Sequence, residues 1–229
     1  VVTAAAGAPA GRPGPGLEAP RETPQDAPRS EDRATRVARL LSDVVSPAVS
    51  VSLICVLCGV AGHPQPLAGL GWAVLLSGFC AAVPVSTIHV AVRSNHLSDR
   101  HVTRREQRWW VLLVCTGSVL CGTAVARGAG APPLLIWILL TMVAGLALTG
   151  AVTLAGTKVS MHAFCLTAAI LAAALVVSPW WLLALLPLLP AVAFARLRLR
   201  HHTPGEITLG MVLAVAVMLT ARLLMPPTA

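Results

Sequence analysis

From about residue 44 to residue 224 the chain is a succession of apolar runs separated by short polar or Gly/Pro-rich breaks. Each run is close to the roughly 20 residues needed to cross a bilayer core. A backbone in hydrocarbon must satisfy its own N–H and C=O groups, and consecutive apolar runs do so as helices. The runs fall at about 44–62, 67–92, 109–126, 134–156, 160–177, 180–195 and 206–224. Gly62-His63-Pro64, the stretch from Gly128 to Pro133, and Ser178-Pro179 mark the clearest breaks. Trp109-Trp110 and Trp180-Trp181 sit at run edges, the depth at which indoles anchor. Pro187 and Pro190 predict a kink in the short sixth run. The period-2 alternation of strands is missing, and a mean hydropathy of +0.77 exceeds that of a soluble domain of this size. The expected fold is all-α, a polytopic membrane helix bundle of about six to seven transmembrane helices.

The organisation outside the runs is simple. Residues 1–35 are Ala, Pro, Gly and charge; with little apolar surface to bury, they read as a disordered tail. Residues 36–66 hold an interfacial helix and the first span. Val37, Leu40, Leu41 and Val44 form the apolar face of that helix, with Arg33, Arg36 and Arg39 elsewhere. Residues 67–229 form the main transmembrane domain. The six cysteines all lie within apolar runs, where they read as small packing residues rather than as a metal or redox set.

Charge is distributed unevenly. Counting seven crossings puts the amino-terminal tail and the 93–108, 157–160 and 196–205 connections on one side. That side holds fifteen of the 17 Lys and Arg; only Arg127 and Arg222 lie on the other. The positive-inside rule makes this face cytoplasmic in a multi-pass protein of the cell membrane. The arginines flank apolar runs rather than forming a solvated basic face, which argues against nucleic acid and for lipid headgroups or an anionic substrate.

Three polar clusters share the same face. The first runs from Arg93 to Arg108 and includes His101; the second is Thr157-Lys158-Val159-Ser160-Met161-His162. The third packs Arg196, Arg198, Arg200, His201, His202 and Glu206 into eleven residues. Guanidinium forks suit phosphate oxygens. Ser160 and the amides opening the next helix form an anion-binding terminus. His162 and His202 are candidate proton-transfer groups or nucleophiles. Glu206, four residues after His202, can fix that imidazole in one tautomer. Thr203-Pro204-Gly205-Glu206 also reads as a capping box, and both roles can coexist. No carboxylate cluster in the sequence suits a metal, and no cofactor is expected.

At these residues the chain resembles the type 2 phosphatidic acid phosphatase superfamily, which shares its fold with vanadium haloperoxidases. The family's third motif, Ser-Arg, five residues, His, three residues, Asp, is matched by Arg196, His202 and Glu206. Val159-Ser160-Met161-His162 is similar to the second motif, Pro-Ser-Gly-His, and His101 with Arg108-Trp109 is a weaker match to the first. The resemblance covers roughly residues 67–225 and implies a phosphatase-like transmembrane core. It implies that His202 attacks phosphorus to form a phosphohistidine, oriented by Glu206. It implies that His162 protonates the leaving alkoxide and then activates water. Arg196, Arg108, Ser160 and His101 would contact the phosphate.

The implied activity is hydrolysis of a phosphate or pyrophosphate monoester of a membrane lipid, polyprenyl or glycerolipid. The chain departs from the pattern at Met161 for glycine, Ala195 for serine, Glu206 for aspartate and His101 for lysine. The alternative expectation is therefore a catalytically silent relative that binds a lipid phosphate or a partner protein at the membrane surface. A transporter would place its polar groups near mid-membrane in broken helices, whereas these lie at span ends.

Overall fold

The computed structural model describes residues 32–98 and 107–226. Most of the tail read from the sequence, and His101 with its neighbours, lie outside the described residues. Among the described residues the regular structure is entirely helical. Six stretches are long and apolar enough to cross a membrane: Arg33–Ala61, Pro66–Arg93, Trp109–Gly128, Pro133–Leu154, Trp180–Arg198 and Pro204–Arg222. The protein is an all-α polytopic helix bundle.

Asp32 opens α1 (Arg33–Val44), its carboxylate accepting from the Ala34 N–H. The apolar residues Val37, Leu40 and Val44 of α1 are exposed, whereas Ala38 and Ser42 are buried. This small face packs on α9. Only Val45 and Ser46 separate α1 from α2 (Pro47–Ala61). Ser46 caps α2, its Oγ accepting from the Val49 N–H at 3.4 Å, and Pro47 takes the first helical position, where no N–H is needed.

α2 returns as α3 (Pro66–Ser77), and the pair cross at Gly59 and Gly69. A Cβ on either glycine would run into the carbonyl of the other, so two bare backbones are what allow the approach. The second run is one stretch but not a regular helix. Five residues, Gly78–Ala82, form a π-helical turn before α4 (Val83–Arg93). Pro84 supplies no N–H, and its ring crowds the carbonyl four residues back. The helix widens to accommodate it, and the Val83 N–H reaches the Gly78 carbonyl five residues back. The Phe79 carbonyl accepts the Ser118 hydroxyl from α5 at 2.6 Å.

α5 (Arg108–Gly128) and α6 (Pro133–Leu154) form the next hairpin. The fifth apolar run is where the structure departs most from the sequence reading. α7 (Met161–Val176) has 16 residues, about 24 Å at 1.5 Å per residue, short of the ~30 Å of a hydrocarbon core. Ten of those 16 residues are buried, so α7 is an inner helix enclosed by protein. It packs against α2, α9 and α10 and the short α8 (Trp180–Leu185). α8 and α9 (Leu188–Arg198) make one stretch interrupted at Leu186-Pro187. α10 (Pro204–Arg222) closes the bundle. The main core joins Leu76, Leu134, Leu135, Ile138, Leu139 and Met218 from α3, α6 and α10.

Gly69→Ala is expected to lower stability by about 1–3 kcal/mol through overpacking. Gly71→Ala, whose Cβ would meet nothing within 4 Å, should be neutral or stabilising by up to about 1 kcal/mol. Thermal unfolding of the two variants in detergent checks the contrast.

Candidate active site

The site is assembled by the way α9 ends and α10 begins. At the end of α9 the Arg200 N–H bonds the Leu197 carbonyl (2.9 Å) and the His201 N–H bonds the Arg196 carbonyl (3.0 Å). These are the two bonds of a Schellman motif, which reverses the chain by placing one residue in the left-handed region. Here that residue is Arg200, with φ of +53°. Three residues later Thr203 caps α10. Its Oγ1 accepts from the Glu206 N–H at 3.3 Å, and Glu206 Oε2 accepts from the Thr203 N–H at 3.2 Å.

The same turn is tied to the start of α7. Lys158 Nζ donates to the His201 carbonyl at 2.7 Å. The Ser160 N–H donates to the Glu206 carbonyl at 3.2 Å. Gly210 lies against the Ser160 carbonyl, where a Cβ would collide with it. α7 and α10 therefore begin side by side, His162 in the first turn of one and His202 just ahead of the other.

His202 Nδ1 donates to Glu206 Oε2 at 2.8 Å, which leaves the lone pair of the neutral ring on Nε2. One carboxylate oxygen thus completes the capping box and fixes an imidazole. Arg196 is 1% exposed, the largest side chain so completely enclosed. Its Nη1 donates to Ser42 Oγ at 2.8 Å. His162 Nε2 lies 3.1 Å from the Ser42 carbonyl, which can only accept, so this nitrogen carries a proton. Arg196 and His162 come from opposite ends of the sequence between α7 and α9 and meet on one residue of α1. α7 and the α8–α9 stretch are therefore antiparallel.

His162, Arg196 and His202 line one cavity of about 540 Å³, together with Ser42, Asp43 and Ser46. The rest of the lining is mostly apolar, with Ile54, Leu146, Met142, Ile138 and Met218 among it, and also includes His89, Thr141 and Thr153. On α6 the lining runs from Thr153 to Ile138, about 22 Å along a helix at 1.5 Å per residue. The π-helical turn contributes Cys80 and Ala81 to the wall, followed by Pro84. The size is that of a ligand site, and the shape is that of an amphiphile: a charged head at one end and a long apolar body.

The residues predicted from sequence divide accordingly. His162, His202 and Arg196 border the cavity; Glu206 reaches it through His202. Ser160 does not line it: its side chain is fully buried, and its hydroxyl has no hydrogen-bond partner among the described residues. Arg108 begins α5, and its side chain lies outside the description, as does His101. Sequence reasoning missed Ser42 because α1 was read by its large apolar residues. The available signal was the small pair Ala38 and Ser42, four apart, which marks a packing face. It also missed that Lys158 clamps the His201 turn. Among the described residues no three His, Cys, Asp or Glu side chains gather to hold a metal ion. Comparison with protein-family models, characterised proteins and solved structures finds no match to this chain.

A left-handed conformation costs a non-glycine residue roughly 1–2 kcal/mol. Arg200 is exposed, so Arg200→Gly removes that cost without opening a void. The expected outcome is a raised thermal-unfolding midpoint in detergent; a lowered one would mean that the Arg200 side chain contributes more than its backbone costs.

Proposed function

We propose that this protein is an integral membrane phosphatase that hydrolyses the phosphate or pyrophosphate monoester of a lipid by way of a phosphohistidine. The observation that carries the reading is the convergence of His162, Arg196 and His202 on one cavity whose remaining lining is mostly apolar. A buried guanidinium suits a phosphoryl group, and the apolar length suits a polyprenyl or acyl chain.

The chemistry follows from the hydrogen bonds. With its Nδ1 proton held by Glu206, His202 presents the Nε2 lone pair for attack on phosphorus. The P–O bond to the lipid breaks as the N–P bond forms, and protonated His162 gives its proton to the departing alkoxide. His162, now neutral, takes a proton from water as that water attacks phosphorus; the N–P bond breaks and phosphate leaves. Arg196 stabilises the negative charge on the transferring group, in a site shielded from water where a fixed donor counts for most. The phosphate end lies on the Arg-rich side, and we assign that side to the cytoplasm and the protein to the cell membrane.

The second reading, a relative that binds a lipid phosphate without hydrolysing it, has one observation in its favour. The Ser160 N–H, the amide that should open an anion site on α7, is already taken by the Glu206 carbonyl.

Purified protein in detergent should release phosphate from polyprenyl or glycerolipid phosphates. His202→Ala should abolish release, and His162→Ala should reduce kcat by about 10²–10⁴-fold, the usual contribution of general acid–base catalysis. Binding without release by the wild type supports the silent reading. Equal release by wild type and both variants eliminates the mechanism.

A further inference from the structure

The reaction proposed above gives no part to Ser42, yet this serine is 1% exposed, borders the cavity and joins two of the groups in it. Its position follows from α1, whose small face of Ala38 and Ser42 is pressed onto α9. Two contacts converge on it. Arg196 Nη1 donates to Oγ at 2.8 Å, and His162 Nε2 donates to the backbone carbonyl at 3.1 Å. Oγ also lies 3.4 Å from that same His162 nitrogen.

The protons decide what Oγ can do. A guanidinium only donates, so the Arg196 bond occupies a lone pair on Oγ and leaves the serine proton unused. The carbonyl of Ser42 only accepts, so His162 Nε2 carries hydrogen when it bonds there. A nitrogen carrying hydrogen in the ring plane cannot accept from the hydroxyl. In this state the serine O–H has no acceptor in Arg196 or His162, while its oxygen is held from behind by a cation. A hydroxyl so held is a polarised donor at the wall of the cavity.

We propose that Ser42 is an anion-binding residue of the cavity, donating its hydroxyl proton to an oxygen of a phosphate monoester head while Arg196 fixes its oxygen. The proposal rests on the phosphate-site reading of the cavity and adds to it a donor supplied by α1. It gives α1 a defined role, since the helix brings Ser42 and Asp43 to the wall of the head site.

The test uses the full chain in detergent micelles, with dodecyl phosphate as the probe and uncharged dodecanol as the control for the apolar part. Binding is read by equilibrium dialysis of radiolabelled probe against protein-free micelles. Ser42→Ala should weaken dodecyl phosphate about tenfold, as expected for one hydrogen bond to a charged group, and leave dodecanol unchanged. Ser42→Thr, which keeps the hydroxyl, should restore phosphate affinity; if the added methyl disturbs α1, Ser42→Cys should fall between alanine and serine. An equal loss for both probes in Ser42→Ala makes the residue a packing element and overturns the proposal. Unchanged phosphate affinity in Ser42→Ala with a clear loss in Arg196→Met also overturns it, and leaves the phosphate-site reading standing. No preference of the wild type for dodecyl phosphate over dodecanol removes that reading, and Ser42 with it.

Discussion

The enclosure of Arg196 governs the rest of this molecule. A guanidinium at a helix centre costs on the order of 2.5–3.5 kcal/mol on insertion scales. The bundle keeps this one where α9 ends and gives it Ser42 of α1 as a partner. Holding that charge requires α1 to pack on α9, and the Arg198–Asp32 ion pair at 2.6 Å fastens the outer edge of the same contact. That ion pair is solvent-exposed and contributes little by itself. Burial of Ala38 and Ser42 is what seats the helix. The result is an amino-terminal helix that belongs to the site more than to the surface.

The second requirement is that the starts of α7 and α10 be brought together, and no single strong interaction does it. Lys158 reaches the His201 carbonyl, the Ser160 amide reaches the Glu206 carbonyl, and Gly210 gives up a side chain so that the backbones can approach. Each is modest, and they converge on the few residues that carry His162 and His202. The two imidazoles are thereby set by backbone positions rather than by long flexible side chains. A preorganised site is built in this way, because little must be reordered when a ligand arrives.

Much of this was legible in the sequence, for a physical reason. Hydrocarbon admits few backbone solutions, so apolar run lengths and Gly/Pro breaks identify the helices almost residue by residue. The spacing of His202 and Glu206 likewise announced their contact, because residues four apart on a helix start are neighbours. What escaped was set by tertiary contact. α7 reads like any other span, and only its burial among its neighbours shows that it is an inner helix. The π-helical turn at 78–82 has its cause in Pro84, but a proline is equally compatible with a plain kink. Arg200 adopts a backbone conformation that glycine usually signals, so nothing in its identity marked the turn. Ser42 is small and sits among conspicuous neighbours, and its partners lie more than a hundred residues away.

The π-helical turn also bears on how far the length of this chain can drift. Gly78–Ala82 holds one surplus residue ahead of α4, which runs on to Arg93. Deleting one residue there would let an ordinary helix run through with α4 facing as before, whereas deleting one elsewhere in α3, with the wide turn kept, would rotate α4 by about 100° about its own axis. Ile88 and His89 would leave the cavity wall. The wide turn is thus the place in the second span where one residue can be lost without re-aiming α4, and the regular helix on either side of it has no such slack.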